Sequence, residues 1–301
     1  MRYLSALCAG ALVAACCSSA SAQLVFGTTT TATTNGSCFY LDVNTNTVST
    51  LWNSATNKKV NGLAADPANG RLYANDAARL NFWNYGNVGT TPTLIAGMYR
   101  TNGTTFSATG VDGLTFANGT LYGVTSFASS TFQRGIYSIN TVPDASSRCI
   151  MTPVWTDNSG ILSTGGLEFN PADNLFYFTQ SADNTATGGT WTPGIFTVDA
   201  FGSGTVTKIM SFPAGHTHVD GLAIGGGKLW MTEQDPTNSR INIIPYDFAT
   251  QTIGTILTVP LTDATQRASG AAWAPGAFPT PGAAGLFGIA GAGLLRRRRT
   301  A

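Results

Sequence analysis

Charge is what this sequence has least of. Only 10% of its 301 residues are charged, and 16 Lys+Arg nearly balance 15 Asp+Glu. Nucleic-acid recognition needs clustered lysine and arginine facing phosphates, so no nucleic-acid partner is expected. Histidine is scarcer still: two, His216 and His218, stand in one short segment. Of five cysteines, Cys8, Cys16 and Cys17 fall in the first 22 residues, which leaves Cys38 and Cys149. Two thiols do not make a disulfide framework, and the bland reading is a pair of buried, inert side chains. A helical hydrophobic period is missing between residues 23 and 277. So are a phosphate-binding glycine loop, a dinucleotide fingerprint and a Gly-x-Ser-x-Gly elbow in fitting contexts. Aromatics are not missing. At 10% and evenly spread they can build a core.

A phrase recurs about every fifty residues. It reads NGLAADPANGRLYAND from residue 61, DGLTFANGTLYGVTS from 112, GGLEFNPADNLFYFTQ from 165 and DGLAIGGGKLWMTEQ from 220. Each copy opens a short apolar strand with a glycine (Gly62, Gly113, Gly166, Gly221) and turns through Pro, Asn, Asp or Gly. A second strand then carries Tyr73, Tyr122, Phe176 or Trp230. A third strand ends in phrases such as YSIN (137–140) and FTVD (196–199), and a Thr/Val-rich fourth closes the unit, as in 149–155, 206–212 and 254–259. Alternating apolar and β-branched runs between turn residues are strand signals. Four short antiparallel strands cannot bury both faces alone, but stacked radially they can. Repeats of this length therefore predict an all-β chain folded as a β-propeller.

The ends of the repeat region predict how the wheel closes. Residues 24–52 hold three strands of a blade without its glycine strand, and SGAAWAP (269–275) supplies a glycine strand without the other three. Pairing them gives about five four-stranded blades and removes two exposed sheet edges. A degenerate blade in 86–110 or 181–193 would make six. Tyr73, Tyr122, Phe176 and Trp230 read as inter-blade core more than as a carbohydrate platform.

The chain divides into 1–22, 23–277 and 278–301. The first 22 residues have a basic start, an apolar stretch and a small-residue site, Ala20-Ser21-Ala22, before Gln23: the layout of a secretory signal. VAAC (13–16) also resembles a lipobox, in which Cys16 would carry lipid. The last segment runs Pro279-Thr280-Pro281, then an uncharged Gly/Ala/Leu stretch, then Arg296, Arg297, Arg298 and Arg299. That order resembles the PEP-CTERM sorting signal of bacterial surface proteins, with Thr280 where the family carries Glu. The resemblance implies processing by an exosortase-like enzyme, contact with the membrane, and delivery to the outer surface, envelope or extracellular space. A plain C-terminal membrane anchor is the alternative and leads to a similar place.

Candidate chemistry gathers in loops expected at one mouth of the wheel, including Lys58, Lys59 and Arg267. His216, His218, Asp220 and Glu233 form a His/carboxylate set suited to a transition metal or to acid–base work. The competing reading is a solvated polar loop. Asn61, Asp112 and Asp220 occupy matching positions just before the strand-one glycine and suit an axial calcium, although the other two units offer Gly165 and Ser269 there. Calcium-dependent propeller hydrolases and lactonases look like this in general plan. The competing reading is an Asx turn bonding its own backbone. The functional expectation is a non-enzymatic binding or structural component of the bacterial envelope or matrix, with a polysaccharide or protein ligand and no obligatory cofactor. The alternative is a metal-dependent hydrolase or lyase of the kind streptogramin-lyase-like propellers imply.

Overall fold

The computed structural model describes residues 23–30, 36–55, 59–76, 78–101, 103, 110–126, 133–157, 164–181, 191–235, 237–261 and 266–276. Residues 1–22 with Cys16, Lys58, and the tail with Pro279, Thr280, Pro281 and the four terminal arginines lie outside the described residues. Every regular element among the described residues is a strand.

Five blades are present among those residues. Blade I is built from both ends of the chain: β1 (Gln23–Thr30), β2 (Gly36–Asp42) and β3 (Thr47–Ala55), completed by β21 (Gln266–Trp273) in the order β21-β1-β2-β3. The register sets Val25 against Ala272 and Thr28 against Ala268, with a bulge between Phe26 and Thr28. Blade II holds β4 (Gly62–Asp66), β5 (Arg71–Asp76), β6 (Arg79–Asn84) and β7 (Thr93–Arg100). Blade III holds β8 (Gly113–Ala117), β9 (Thr120–Thr125), β10 (Arg134–Ile139) and β11 (Arg148–Asp157). Blade IV holds β12 (Leu167–Asn170), β13 (Leu175–Gln180), β14 (Gly194–Val198) and β15 (Val206–Met210). Blade V holds β16 (Val219–Gly225), β17 (Lys228–Asp235) and β18 (Arg240–Asp247), edged by β19 (Thr252–Ile253) and β20 (Leu257–Pro260).

The stretch after residue 86 that left room for a sixth blade instead supplies β7, the outer strand of blade II. This strand is shared. Its first half pairs with β6, and Gly97 to Arg100 then run parallel to Arg148 to Met151 of β11, joining blades II and III into one eight-stranded sheet. The outer strand expected as one piece at 254–259 is also split. Pro245 of β18 has no N–H to donate, so β19 pairs with Tyr246 and Asp247 while β20 pairs with 240–243.

Glycine explains how five sheets meet at one axis. The innermost strands pack in a ring, β21 on β4, β4 on β8, β8 on β12, β12 on β16 and β16 on β21. Backbone touches backbone where the glycines lie. A methyl group on Gly62 would sit 2.6 Å from the Leu114 nitrogen, and one on Gly113 2.6 Å from the Leu167 nitrogen. On Gly166 it would meet the Leu222 nitrogen at 3.0 Å, and on Gly221 the Ser269 oxygen at 2.5 Å. On Gly270 it would meet the Leu63 nitrogen at 2.5 Å, which closes the circle. No side chain fits between strands this close, so the repeat demands glycine at all five positions.

Outside that ring the blades are held by large side chains. Tyr73, Tyr122, Phe176 and Trp230 are buried, as core residues should be. Tyr73 stacks on Phe116 of the next blade, Tyr122 meets Phe176 edge-on, and Trp230 stacks on Trp273 across the closing seam. Each such pair adds about 1 kcal/mol beyond the area it buries. Cys38 in blade I and Cys149 in blade III are free and buried. Burial pushes both thiols up, Cys149 to about 11, so neither is a nucleophile near neutrality.

Candidate functional site

The residues just before the ring glycines come together at one mouth of the axis. Asn61, Asp112, Gly165, Asp220 and Ser269 line a cavity of about 280 Å³, with Arg267 at its rim. Backbone carbonyls of adjacent strands place Asn61, Asp112 and Ser269, and the Thr179 hydroxyl accepts the Gly165 amide at 2.9 Å. The amides of Asn61 and Asp112 donate to Asn75 and Val124 carbonyls at 2.9 Å, which starts strand one of their blades. Asn75 Nδ2 donates 2.7 Å to the Val111 carbonyl of the next blade, and the Ser269 hydroxyl donates to the Val60 carbonyl. These bonds lock neighbouring blades at the height of the mouth. The cavity is therefore preformed.

Its electrostatics are set by two acids. Asp112 accepts hydrogen bonds from the Ser126 amide at 2.8 Å and the Ser126 hydroxyl at 2.6 Å. Enclosure still pushes its carboxyl up to about 6, since desolvation outweighs those two bonds. The Asp220 carboxyl is shifted by burial and by neighbouring charges, with no hydrogen bond among the causes. Desolvation raises it to about 7, the Asp112 and Glu233 charges add to the rise, and the Arg267 guanidinium opposes it. At neutral pH the mouth thus holds a largely ionised Asp112 and an Asp220 that shares its site with a proton about half the time, beside one arginine. It presents acceptors and donors together.

Calcium fits this set poorly. The ion takes six to eight oxygen ligands, and here two carboxylates face a guanidinium while the Ser269 hydroxyl is engaged by a carbonyl. Among the described residues, no three of His, Cys, Asp and Glu gather in a way that would hold a metal ion.

The His/carboxylate set is divided between two places. Asp220 belongs to the axial mouth. His216, His218 and Glu233 line a separate cavity of about 360 Å³ in blade V. Glu233 is buried and accepts from four directions: the His216 Nδ1, the Thr217 amide at 2.9 Å, the His218 amide at 3.4 Å and the Asn242 Nδ2 at 3.1 Å. It clamps the loop 215–218 onto β17 and β18. His218 contributes its backbone while its side chain is exposed. The ring nitrogen of His216 that meets the Glu233 carboxylate is Nδ1.

One ionisable residue near the axis was not singled out from the sequence. Glu168 lies two positions beyond ring glycine Gly166, where the other blades carry Ala64, Thr115, Ala223 and Ala272. Aligning the repeat two residues further would have exposed it as the lone acid of that layer.

No protein-family model matches the chain, and no curated protein matches it in sequence. In fold it is similar to a chain of the nidogen–laminin complex, with a TM-score of 0.53 over 84% of this chain and 98% of that one at 14% identity. It also aligns with TolB from Acinetobacter baumannii (TM-score 0.47, 15% identity, 85% of this chain and 67% of that one). A candidate 6-phosphogluconolactonase from Bacteroides fragilis aligns similarly (TM-score 0.47, 13% identity, 84% and 98%). The first of these likenesses is one of propeller fold, which does not transfer a partner or an activity.

Proposed function

We propose that the protein is an exported β-propeller that acts as a non-enzymatic binding component of the bacterial cell surface or extracellular matrix, taking a hydroxyl-rich ligand such as polysaccharide at its polar mouth. One observation carries this reading: a chain with few charges brings Asp112, Asp220 and Arg267 from three blades into one cavity. Two crowded carboxylates destabilise a fold, and such local costs are characteristic of binding sites. Sugar hydroxyls both donate and accept. They suit carboxylate acceptors beside a guanidinium donor. The signal-like first 22 residues and the Pro-Thr-Pro tail support export and retention at the surface.

The test has two arms. Deleting residues 279–301 is expected to release the protein into the medium, and unchanged retention on cells would count against the tail's role. Purified mature protein is expected to sediment with extracted matrix polysaccharide, with Asp220→Asn and Arg267→Ala each weakening binding roughly tenfold, about 1.4 kcal/mol. Binding by both variants as tight as that of the wild type, or binding to matrix protein alone, would overturn the polysaccharide reading.

A second reading rests on the His216–Glu233 contact beside a cavity. Such a pair is the arrangement of a metal-binding imidazole oriented by a carboxylate, and it supports a metal-dependent hydrolase or lyase. Metal analysis separates the readings. A stoichiometric transition metal that disappears in His216→Ala and His218→Ala would favour the enzyme, and its absence from both wild type and variants favours the binding module.

A further inference from the structure

The axis has a second mouth. Three positions beyond the ring glycines stand Ala65, Phe116, Phe169, Ile224 and Trp273, and all five line a cavity of about 260 Å³. Strand one advances about 3.3 Å per residue, so this layer lies on the far side of the glycine ring from Asp112 and Asp220. Prolines from three blades, Pro67, Pro171 and Pro275, rim it. One end of the axis is polar and the other apolar.

Glu168 opens into the apolar end. Its neighbour is the Thr115 hydroxyl of the preceding blade, which also accepts the Phe169 amide at 3.1 Å. Burial pushes the Glu168 carboxyl well above the usual carboxylate range. No basic side chain lines the cavity among the described residues. The strands packed on β12 bring no countercharge either. β8 carries no ionisable side chain, β13 brings Tyr177, whose hydroxyl donates 2.6 Å to Asp173, and β16 brings Asp220 beyond the glycine ring.

An acid in apolar surroundings without a countercharge raises the free energy of the fold whenever it ionises. A ligand that carries the missing positive charge relieves it. A hydrated metal ion is a poor candidate, since one carboxylate cannot replace its oxygen shell. An organic cation suits the walls better, because aromatic faces attract such ions and pack their carbon atoms. We propose that the apolar mouth is a binding site for a small alkylammonium ion, its charge paired with Glu168 and its carbon body packed against Phe116 and Trp273. On binding, the Glu168 proton passes to solvent and the carboxylate formed balances the ammonium, which keeps its own protons. This site does not rest on the reading of the polar mouth.

Calorimetric titration of the mature protein with n-butylammonium chloride tests the assignment, with n-butanol as the neutral probe of the same shape. The ammonium is expected to bind at least about tenfold more tightly than the alcohol. Its affinity is expected to rise with pH as the Glu168 carboxyl becomes easier to ionise. Runs in two buffers of different ionisation enthalpy are expected to show up to about one proton released per cation bound. Glu168→Gln keeps the shape and is expected to lose the preference for the charged probe. The proton count needs no variant, so it decides the matter even if that substitution misfolds. Equal affinity for amine and alcohol, no proton release, or unchanged binding in a folded Glu168→Gln protein would overturn the proposal. Nα-acetyl-lysine methylamide separates a free amine from a lysine side chain. Weaker binding than n-butylammonium agrees with a free amine, and tighter binding would overturn that source.

Discussion

Asp220 is the residue on which the polar mouth turns. Its carboxyl is raised to about 7 by burial first and by the Asp112 charge second, against about 3.9 in an unfolded chain. A raised carboxyl binds its proton more tightly in the folded state. The stability it lends is therefore complete below about pH 4 and is lost as pH rises from about 4 to 7. Because Asp220 is partly exposed, solvent screening reduces the penalty above that window to about 1–2 kcal/mol. Asp220→Asn is expected to be more stable than the wild type by that amount near pH 8, with the gap closing near pH 4, as read by denaturant titration at both values. A variant less stable near pH 8 would contradict the account of the mouth. The convergence of Asn61, Asp112 and Asp220 was legible because the repeat places them one step before each glycine. The separation of Asp220 from His216 and Glu233 was not. His216, His218 and Asp220 are near neighbours in sequence, and only the start of β16 after residue 218 sends Asp220 to the axis while Glu233 holds the loop.

At the scale of the strand, the ring glycines carry the argument. Gly113 faces the backbone of Leu167, which cannot rotate away as a side chain would. Gly113→Ala is expected to cost about 3 kcal/mol or more, the upper range for forcing atoms into a packed interior. Gly119, in the β8–β9 turn, has open space around it and a φ of +78°. Gly119→Asn is expected to cost less than about 1 kcal/mol, since asparagine tolerates that conformation. Chemical denaturation of the two variants checks both, and equal losses would mean that the axis is looser than described. Strand one, its glycine and the aromatic of strand two could be read directly, because each follows a local pattern that the packing reinforces. The outer strands could not. Their partners are distant in sequence, and neither the parallel contact of β7 with β11 nor the break at Pro245 has a local signature that outweighs the expected hairpin ladder.

For the molecule as a whole, the two ends of the propeller share a sheet, and this makes stability a property of the entire ring. Each blade buries its faces only against its neighbours, and separating β21 from β1 would expose two sheet edges. The placement of one mouth above the glycine ring and another below it also depends on closure, because β21 supplies Arg267 and Ser269 to the first and Trp273 to the second. The most direct measurement of closure is a cross-link. Thr28 and Ala268 lie opposite each other on β1 and β21, so Thr28→Cys with Ala268→Cys is expected to oxidise to a disulfide. It would tie residues 28 and 268 into one covalent loop and raise the unfolding free energy by several kcal/mol over the reduced form. Failure of the folded protein to form this bond, with mass spectrometry finding both thiols free after oxidation, would contradict the closed wheel.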